Sequence, residues 1–114
     1  MPSRPVVPDL LPGTLDLLIL RTLQTQALHG WAISERIQQI SHDVLQIGQG
    51  SLYPALHRLE FKGWIDAEWR TSEQGRRAKY YRLTRAGRKQ VEKEARDWER
   101  TTAILARFLA PDQG

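Results

Sequence analysis

Hydrophobic residues recur at helical spacing through the first third of the chain. Residues 13–26, GTLDLLILRTLQTQ, place leucine and isoleucine on nearly every side of a helical wheel, with Thr14 as the predicted N-cap. A helix that is apolar on all sides must be covered from more than one direction. We therefore expect a second copy of the chain to cover part of this helix.

The segment HGWAISERIQQIS, residues 29–41, predicts an amphipathic second helix. The positions expected to face the core are Ile33, Ile37 and Ile40. An extended connector of about nine residues follows. It is longer than the turn of a plain helix-turn-helix, and a short strand is predicted at residues 44–47.

A third helix is predicted within residues 50–65, GSLYPALHRLEFKGWI, and Gly63 is expected to end it. Its apolar stripe consists of Leu52, Ala55, Leu56 and Leu59. The opposite face then carries Tyr53, Pro54, His57, Arg58 and Phe61. Pro54 is expected in the first turn, where a helix tolerates a missing N–H group.

After Gly63 the hydrophobic period changes from helical to alternating. Residues 64–72 and 76–84 predict the two strands of a hairpin around a polar, glycine-containing loop. One face of this hairpin is expected to lie on the helices: Ile65, Ala67, Trp69, Lys79, Tyr81 and Leu83. The other face and the loop are polar and rich in arginine.

A final helix is predicted from an N-cap at Thr84 to about Leu109. Its apolar seam has the spacing of the a and d positions of a heptad: Val91, Ala95, Trp98, Thr102, Leu105 and Leu109. The seam covers barely three heptads. It therefore predicts a helix-to-helix contact between two copies of the chain rather than a long coiled coil.

This order of elements predicts an α+β fold that is mainly α, a winged helix-turn-helix with a long C-terminal dimerisation helix. The proline-rich residues 1–12 are expected to form an extended N-terminal arm. Residues 13–83 form the predicted DNA-binding domain, and residues 84–110 the dimerisation helix.

The charge distribution indicates a polyanionic partner. Between Trp69 and Lys89, eight basic residues stand against Glu73 alone, a local net charge of +7, whereas the whole chain of 114 residues carries +4. A local basic block on an otherwise acidic body is typical of a nucleic-acid-binding surface. RNA is disfavoured, because side chains cannot enter the deep, narrow major groove of A-form helices.

Several other classes of function are excluded or disfavoured. The chain has no cysteine, which excludes disulfides and thiolate metal sites and agrees with a cytoplasmic location. It contains no stretch of about 18 apolar residues that would span a membrane, and no secretory signal. The three histidines are scattered, and no catalytic motif, metal motif or phosphate-binding loop is present. We expect no enzymatic activity, no metal and no cofactor.

Double-stranded DNA is therefore the expected partner, with the third helix in the major groove. The helix residues expected to contact DNA are Ser51, Tyr53, Pro54, His57 and Arg58. The hairpin residues expected to contact phosphates or the narrow groove are Arg76, Arg77 and Lys79. The alternative is a winged helix that binds protein, but such modules typically lose the basic hairpin that this chain keeps.

Four strings resemble the PadR family of bacterial transcriptional regulators, in its compact form with one C-terminal helix. They are PGTLDLLILRTL, HGWAISERI, GSLYPALHRLEFKGWI and RRAKYYRLTRAGRK, and the resemblance covers about residues 10–109. The chain is particularly similar to a subgroup found beside membrane permease genes in Acidobacteria and their neighbours. One departure is Phe61, because relatives often carry a polar or basic residue there.

The resemblance implies a homodimeric repressor that binds an inverted repeat, with DNA contacts from Tyr53 and the basic hairpin residues. The dimer interface expected from the seam and the first helix consists of Leu15, Leu18, Val91, Ala95, Trp98, Thr102, Leu105 and Leu109. Some relatives bind planar aromatic compounds between their subunits, near a tryptophan that Trp98 matches. Trp98 is therefore either interface packing or the wall of a site for a planar apolar effector.

Overall fold

The computed structural model describes residues 13–111, and the predicted arm at residues 1–12 lies outside them. The described residues form four α-helices and a three-stranded antiparallel sheet. In chain order the elements are α1 (Thr14–Thr22), β1 (Leu28–His29), α2 (Gly30–Ile40), α3 (Gln49–Phe61), β2 (Ile65–Thr71), β3 (Arg77–Leu83) and α4 (Arg85–Leu109). The β2–β3 hairpin, called the wing below, follows the first three helices, as the predicted winged helix-turn-helix requires.

The second and third helices bury the stripes predicted for them, with one exception. Leu52, Leu56 and Leu59 of α3 are at most 1% exposed, and Ile33 and Ile37 of α2 are at most 3% exposed. Ile40 is 58% exposed, so its predicted place in the core is wrong. It is the last residue of α2 and lies beyond the packed part of the helix.

The third helix begins earlier than predicted, at Gln49, which makes Pro54 its sixth residue. The prediction that Pro54 occupies the first turn is therefore wrong. A proline in the second turn removes the N–H group that would bond to the carbonyl of Gly50, four residues earlier. Gly50 is exposed, so water can satisfy this carbonyl instead.

The end of α3 is confirmed at Gly63, which has a φ of 76°. The Gly63 and Trp64 N–H groups donate to the Glu60 and Leu59 carbonyls at 3.0 and 3.1 Å. This pair of bonds is the Schellman motif, in which a glycine adopts the left-handed conformation that other residues avoid. The chain therefore turns sharply from α3 into β2.

The wing has the predicted strands and the predicted alternation of faces. The register pairs Ile65 with Leu83, Ala67 with Tyr81 and Trp69 with Lys79. Ile65, Tyr81 and Leu83 are buried, whereas Trp69, farther out on the same face, is 59% exposed. The outer half of the wing therefore extends beyond the helical core.

One strand has no counterpart among the predicted elements, and one predicted strand is absent. Leu28 and His29 form β1 and pair with Tyr81 and Tyr80 of β3. Two residues are too few to show an alternating pattern in a sequence. Residues 44–47 form no strand, so that prediction is wrong; buried Ile47 anchors this connector by side-chain packing.

The first helix starts one residue earlier than predicted, with Gly13 as its N-cap, so the assignment to Thr14 is wrong. Gly13 has a φ of 88° and offers no side chain for capping. Helices α2, α3 and α4 of the same chain contact α1 and bury Ile19 and Leu20 completely. Most of the cover expected from a second chain is thus intramolecular, and the remaining half-buried leucines are Leu15, Leu17 and Leu18.

The start of α4 is bonded to the turn after α3. Thr84 is the N-cap, as predicted, and its Oγ1 accepts from the Gly87 N–H at 3.0 Å. The Thr84 hydroxyl donates to the Gly63 carbonyl at 2.7 Å, and the Thr84 N–H donates to the Trp64 carbonyl at 3.0 Å. These bonds fix the direction in which α4 leaves the body.

The first residue of the predicted seam of α4 packs in the core of its own chain. Val91 is 1% exposed and belongs to the core cluster, so its prediction as an interface residue is wrong. Beyond Trp98, by contrast, every residue from Glu99 to Ala110 is exposed. The first two turns of α4 therefore belong to the body, and its second half extends away from it.

Candidate nucleic-acid interface

The outer face of α3 presents the residues that its apolar stripe leaves unburied. Ser51, Pro54 and His57 are exposed, as predicted from the spacing. Phe61 follows His57 by one helical turn and is 94% exposed. This face therefore combines a hydroxyl, an imidazole and an apolar ring on one accessible helix surface.

Tyr53 is half-buried rather than fully outward, because its ring packs against the start of α2. A Cβ atom added to Gly30 would lie 2.8 Å from the Tyr53 Oη and 3.1 Å from two ring carbons. Glycine at position 30 is what allows the ring this close. Tyr53 thus sits at the junction of α2 and α3 and is only partly exposed.

Arg58, which was predicted to face outward, has an intramolecular partner that the sequence did not predict. Its Nη2 donates to Asp16 Oδ1 of α1 at 2.9 Å, and the Asp16 side chain is only 11% exposed. A largely buried carboxylate needs such a partner, because burying an unpaired charge is costly. The Arg58 side chain is still 53% exposed. It joins α1 to α3 while keeping an accessible edge.

The outer end of the wing carries two arginines without an acidic partner among residues 13–111: Arg76 in the loop and Arg77 at the start of β3. The loop is closed by the Ser72 N–H, which donates to the Arg76 carbonyl at 2.6 Å, and by Gly75 at a φ of 78°. The Arg77 guanidinium lies 5.6 Å from the centre of the Trp69 ring. Both cations are exposed at the outer end of the wing, as predicted.

Lys79 is not at the tip of the wing but on its inner face. Its Nζ lies 3.3 Å from Glu60 Oε1 of α3 and 5.4 Å from the centre of the Tyr81 ring. The prediction of a free phosphate-binding lysine is wrong in this respect, because the pleat turns this side chain toward α3 and its carboxylate.

Burial raises the pKa of the Tyr81 phenol, outweighing the opposite effect of nearby Lys79, so the phenol stays protonated.

Two tryptophans on this side of the molecule are absent from the predicted site. Trp31, in the first turn of α2, is 63% exposed, and Trp69 is 59% exposed. The sequence holds a signal for Trp31, since it falls outside the isoleucine stripe of its helix. No such signal exists for Trp69, because its alternation with Ala67 and Ile65 assigns it to the core-facing side.

A separate groove runs between α1 and α4. It has a volume of about 710 Å³, and its lining includes Leu17, Leu18, Ala95, Trp98 and Thr102. Of the predicted interface residues, Leu15, Leu18, Ala95 and Trp98 are half-buried, and Thr102, Leu105 and Leu109 are exposed. Two further exposed apolar residues, Ile104 and Phe108, lie on α4 outside the predicted heptad seam.

In the part of the chain that the structure describes, no three acidic or histidine side chains come close enough to hold a metal ion. Between residues 13 and 111, no helix has the length and apolarity needed to cross a membrane.

Comparison with known proteins identifies the family of this chain. The model of the transcriptional regulator PadR-like family matches residues 19–93. The chain belongs to this family. It is accordingly a PadR-like transcriptional regulator and not an enzyme, and its winged helix fold is that of the PadR structures.

Three similar proteins illustrate the resemblance. A transcriptional regulator from Clostridium thermocellum has 31% sequence identity and a TM-score of 0.80, covering 89% of this chain and 98% of its own. A PadR family transcription regulator from Clostridium difficile has 29% identity and a TM-score of 0.75, covering 86% of this chain and all of its own. A transcriptional regulator of Mycobacterium tuberculosis is 35% identical over 87 residues, 76% of this chain and 78% of its own.

Proposed function

We propose that this PadR-like regulator is a homodimeric repressor that binds an inverted-repeat DNA operator. In this proposal α3 of each protomer enters the major groove, the two wings contact the flanking backbone, and the C-terminal halves of α4 pair. A repressor of genomic operators works in the cytoplasm. A flat apolar effector that binds beside Trp98 would release the DNA.

The observation that carries the proposal is an exposed outer face of α3 that shares one cleft with the wing, whose outer end carries two exposed arginines. Arg76 and Arg77 extend beyond the core, on the hairpin that follows the helix carrying Ser51, Pro54 and His57. In winged helix proteins this arrangement lets side chains contact base edges while cations contact phosphates. Arg58 and Lys79 contribute less than their sequence positions suggest, because both already pair with carboxylates.

The second half of α4 supports the dimer. Leu105 is 50% exposed and Leu109 is 81% exposed, on a helix whose last eleven residues, Glu99 to Leu109, are all exposed. A short helical segment without packing is marginally stable in water. Pairing with the same segment of a second copy would cover these side chains, and a twofold axis brings the same patch from both protomers together.

The outer face of α3 is tested by two substitutions that preserve the fold. In Tyr53→Phe and in His57→Ala, the free energy of operator binding should become less favourable by about 1–3 kcal/mol, the value of one specific contact. Affinity is measured by fluorescence anisotropy on an operator mapped by footprinting the promoter region of the protein's own gene. Ile40→Ala, which removes an exposed side chain at the far end of α2, is the matched control. Wild-type operator affinity in both folded variants would show that this face does not contact the operator.

The wing arginines should contribute phosphate contacts without base preference. For Arg76→Ala and Arg77→Ala, the slope of log affinity against log salt concentration should become shallower by about 0.9 for each lost contact. Affinity should fall by the same factor on operator and random DNA. An altered sequence preference in Arg77→Ala would assign this side chain to base recognition instead.

An effector site at Trp98 is supported by the groove of about 710 Å³ between α1 and α4. In a dimer paired through α4, an occupied groove would alter the spacing of the two α3 helices, and DNA would be released by a population shift. Planar aromatic dyes titrated into wild type should quench tryptophan fluorescence and lower operator affinity. Trp98→Ala should bind the dyes at least tenfold more weakly, a difference of about 1.4 kcal/mol. Equal dye binding by both proteins would leave Trp98 as interface packing.

The competing function, a winged helix that binds protein, makes a different prediction. A protein-binding module would not bind duplex DNA, with or without salt. Titration of the wild-type chain with duplex DNA at two salt concentrations separates these functions, since phosphate contacts make DNA affinity strongly dependent on salt.

A further inference from the structure

A cleft of about 400 Å³ opens between the start of α2, the outer face of α3 and the inner face of the wing. Trp31 and Trp69 line it, together with Tyr53, His57, Lys79 and Tyr81. The cleft exists because β1 pairs only with Tyr80 and Tyr81 and leaves the outer part of β3 unpaired on that side. It lies between the two elements to which the proposed function assigns DNA contacts.

Both tryptophans are held by neighbouring side chains although they are largely exposed. The Trp31 ring stacks on His29 with centroids 6.3 Å apart, and the Arg77 guanidinium lies 5.6 Å from the Trp69 ring centre. His29 is itself fixed, because its Nδ1 accepts from the Ala32 N–H at 3.2 Å. Two indole rings exposed beside one cleft indicate a surface that binds a partly apolar ligand.

The charged residues that line the cleft indicate which type of ligand it can bind. Among residues 13–111, Lys79 is the only lysine or arginine in its lining, and Lys79 is paired with Glu60 at 3.3 Å. The side chains of the cleft therefore attract anions only weakly. Apart from Gly30 and Ala78, its remaining lining is aromatic, with indole N–H, phenol and imidazole groups as donors. An occupant with an apolar face and a polar edge fits these walls better than a bare phosphate.

We propose that this cleft takes the sugar–phosphate backbone of one DNA strand, with a deoxyribose against Trp31 and Trp69. This inference rests on the proposed DNA binding and adds a contact to it. The apolar faces of the indoles cover the C–H surface of the sugar, and their N–H groups can donate to phosphate oxygens. The contact fixes the DNA between α3 and the wing without recognising bases, because sugar and phosphate carry no sequence information directly.

An uncharged contact has a thermodynamic signature that differs from that of the wing arginines. Loss of a cation that neutralises a phosphate flattens the salt dependence of binding, because fewer counterions are released. Loss of an indole removes contact area and leaves the number of released counterions unchanged. The two tryptophans should therefore affect affinity without affecting the salt slope.

The test compares Trp31→Ala and Trp69→Ala with wild type on operator and on random duplex DNA across a salt series. Each substitution should weaken binding about tenfold, the equivalent of 1.4 kcal/mol, on both DNAs and at every salt concentration. Trp31→Tyr and Trp69→Tyr, which keep an aromatic ring with a donor, should restore most of the affinity. Ile40→Ala is the control for loss of an exposed apolar side chain on α2.

Each other outcome overturns the inference. Wild-type affinity in both alanine variants would show that DNA does not occupy the cleft. Operator binding by wild type would still support the proposed function in that case. A flattened salt slope would mean that the tryptophans only position His29 or Arg77. A changed base preference would place bases, rather than sugar, against the rings. Quenching of Trp31 and Trp69 by a planar dye, with DNA affinity unchanged by either alanine variant, would identify a small-molecule site.

Discussion

Replacing Gly87 with alanine should destabilise the protein more than the same replacement at Gly30 or Gly50. A Cβ atom at this position would lie 2.0 Å from the Trp64 carbonyl oxygen and 2.8 Å from Leu83 Cδ1. Neither the carbonyl nor the helix backbone can withdraw easily, since Thr84 bonds to the same turn. We expect Gly87→Ala to lower the free energy of unfolding by about 3 kcal/mol.

Thermal unfolding followed by circular dichroism, at one fixed protomer concentration, measures this effect. A loss of this size corresponds to a fall in Tm of roughly 12 °C or more for a domain of about 100 residues. Gly50→Ala is the matched control, because a Cβ atom there meets nothing within 4 Å and Gly50 lies within α3. That variant should be unchanged or up to about 1 kcal/mol more stable. Equal Tm values for both variants would contradict the close approach of α4 to Trp64.

The double substitution Leu105→Glu with Leu109→Glu should convert the proposed dimer into a monomer. Both side chains are at least half exposed in one protomer, and in the dimer they would face the same residues of the partner. Four carboxylates would then be buried without partners, and unpaired buried charges cost several kcal/mol. We expect dimer affinity to fall at least 1,000-fold, equivalent to about 4 kcal/mol, and operator affinity to fall with it.

Sedimentation velocity at micromolar concentration measures the change in oligomeric state. Arg107→Glu is the control, because Arg107 lies in the same turns of α4 but about 160° around the helix axis from each of the two leucines. That variant should sediment as wild type does. A wild-type chain that sediments as a monomer at this concentration, or a double variant that remains dimeric, would contradict pairing through the seam.

The helices and the wing could be predicted because each has a period that only one type of structure satisfies. The stripe of Leu52, Leu56 and Leu59 requires a helix, and the alternation on both sides of the loop requires a hairpin. Gly63 and Thr84 could be placed because the chemistry of a helix end depends on the residue at that end. These features are local, and the sequence contains all the information that they need.

The candidate site was less predictable, since its properties depend on contacts between distant parts of the chain. Arg58 meets Asp16 across 42 positions of sequence, and Lys79 meets Glu60 across 19. No pattern within one element shows that these cations are paired. Trp69 is a different case, because alternation gives the face of a strand but not the point at which the wing extends past the core.

The attachment of α4 through Thr84 has a mechanical consequence. With 25 residues, α4 is about 37 Å long at 1.5 Å per residue. Because its first turn is bonded to the turn that ends α3, we expect the two helices to tilt together as one rigid unit. Tilting α4 by about 10° at its far end would displace the body at its other end by about 6 Å. In a dimer paired through α4, a modest change in the angle between the two α4 helices would therefore produce a large change in the distance between the two α3 helices.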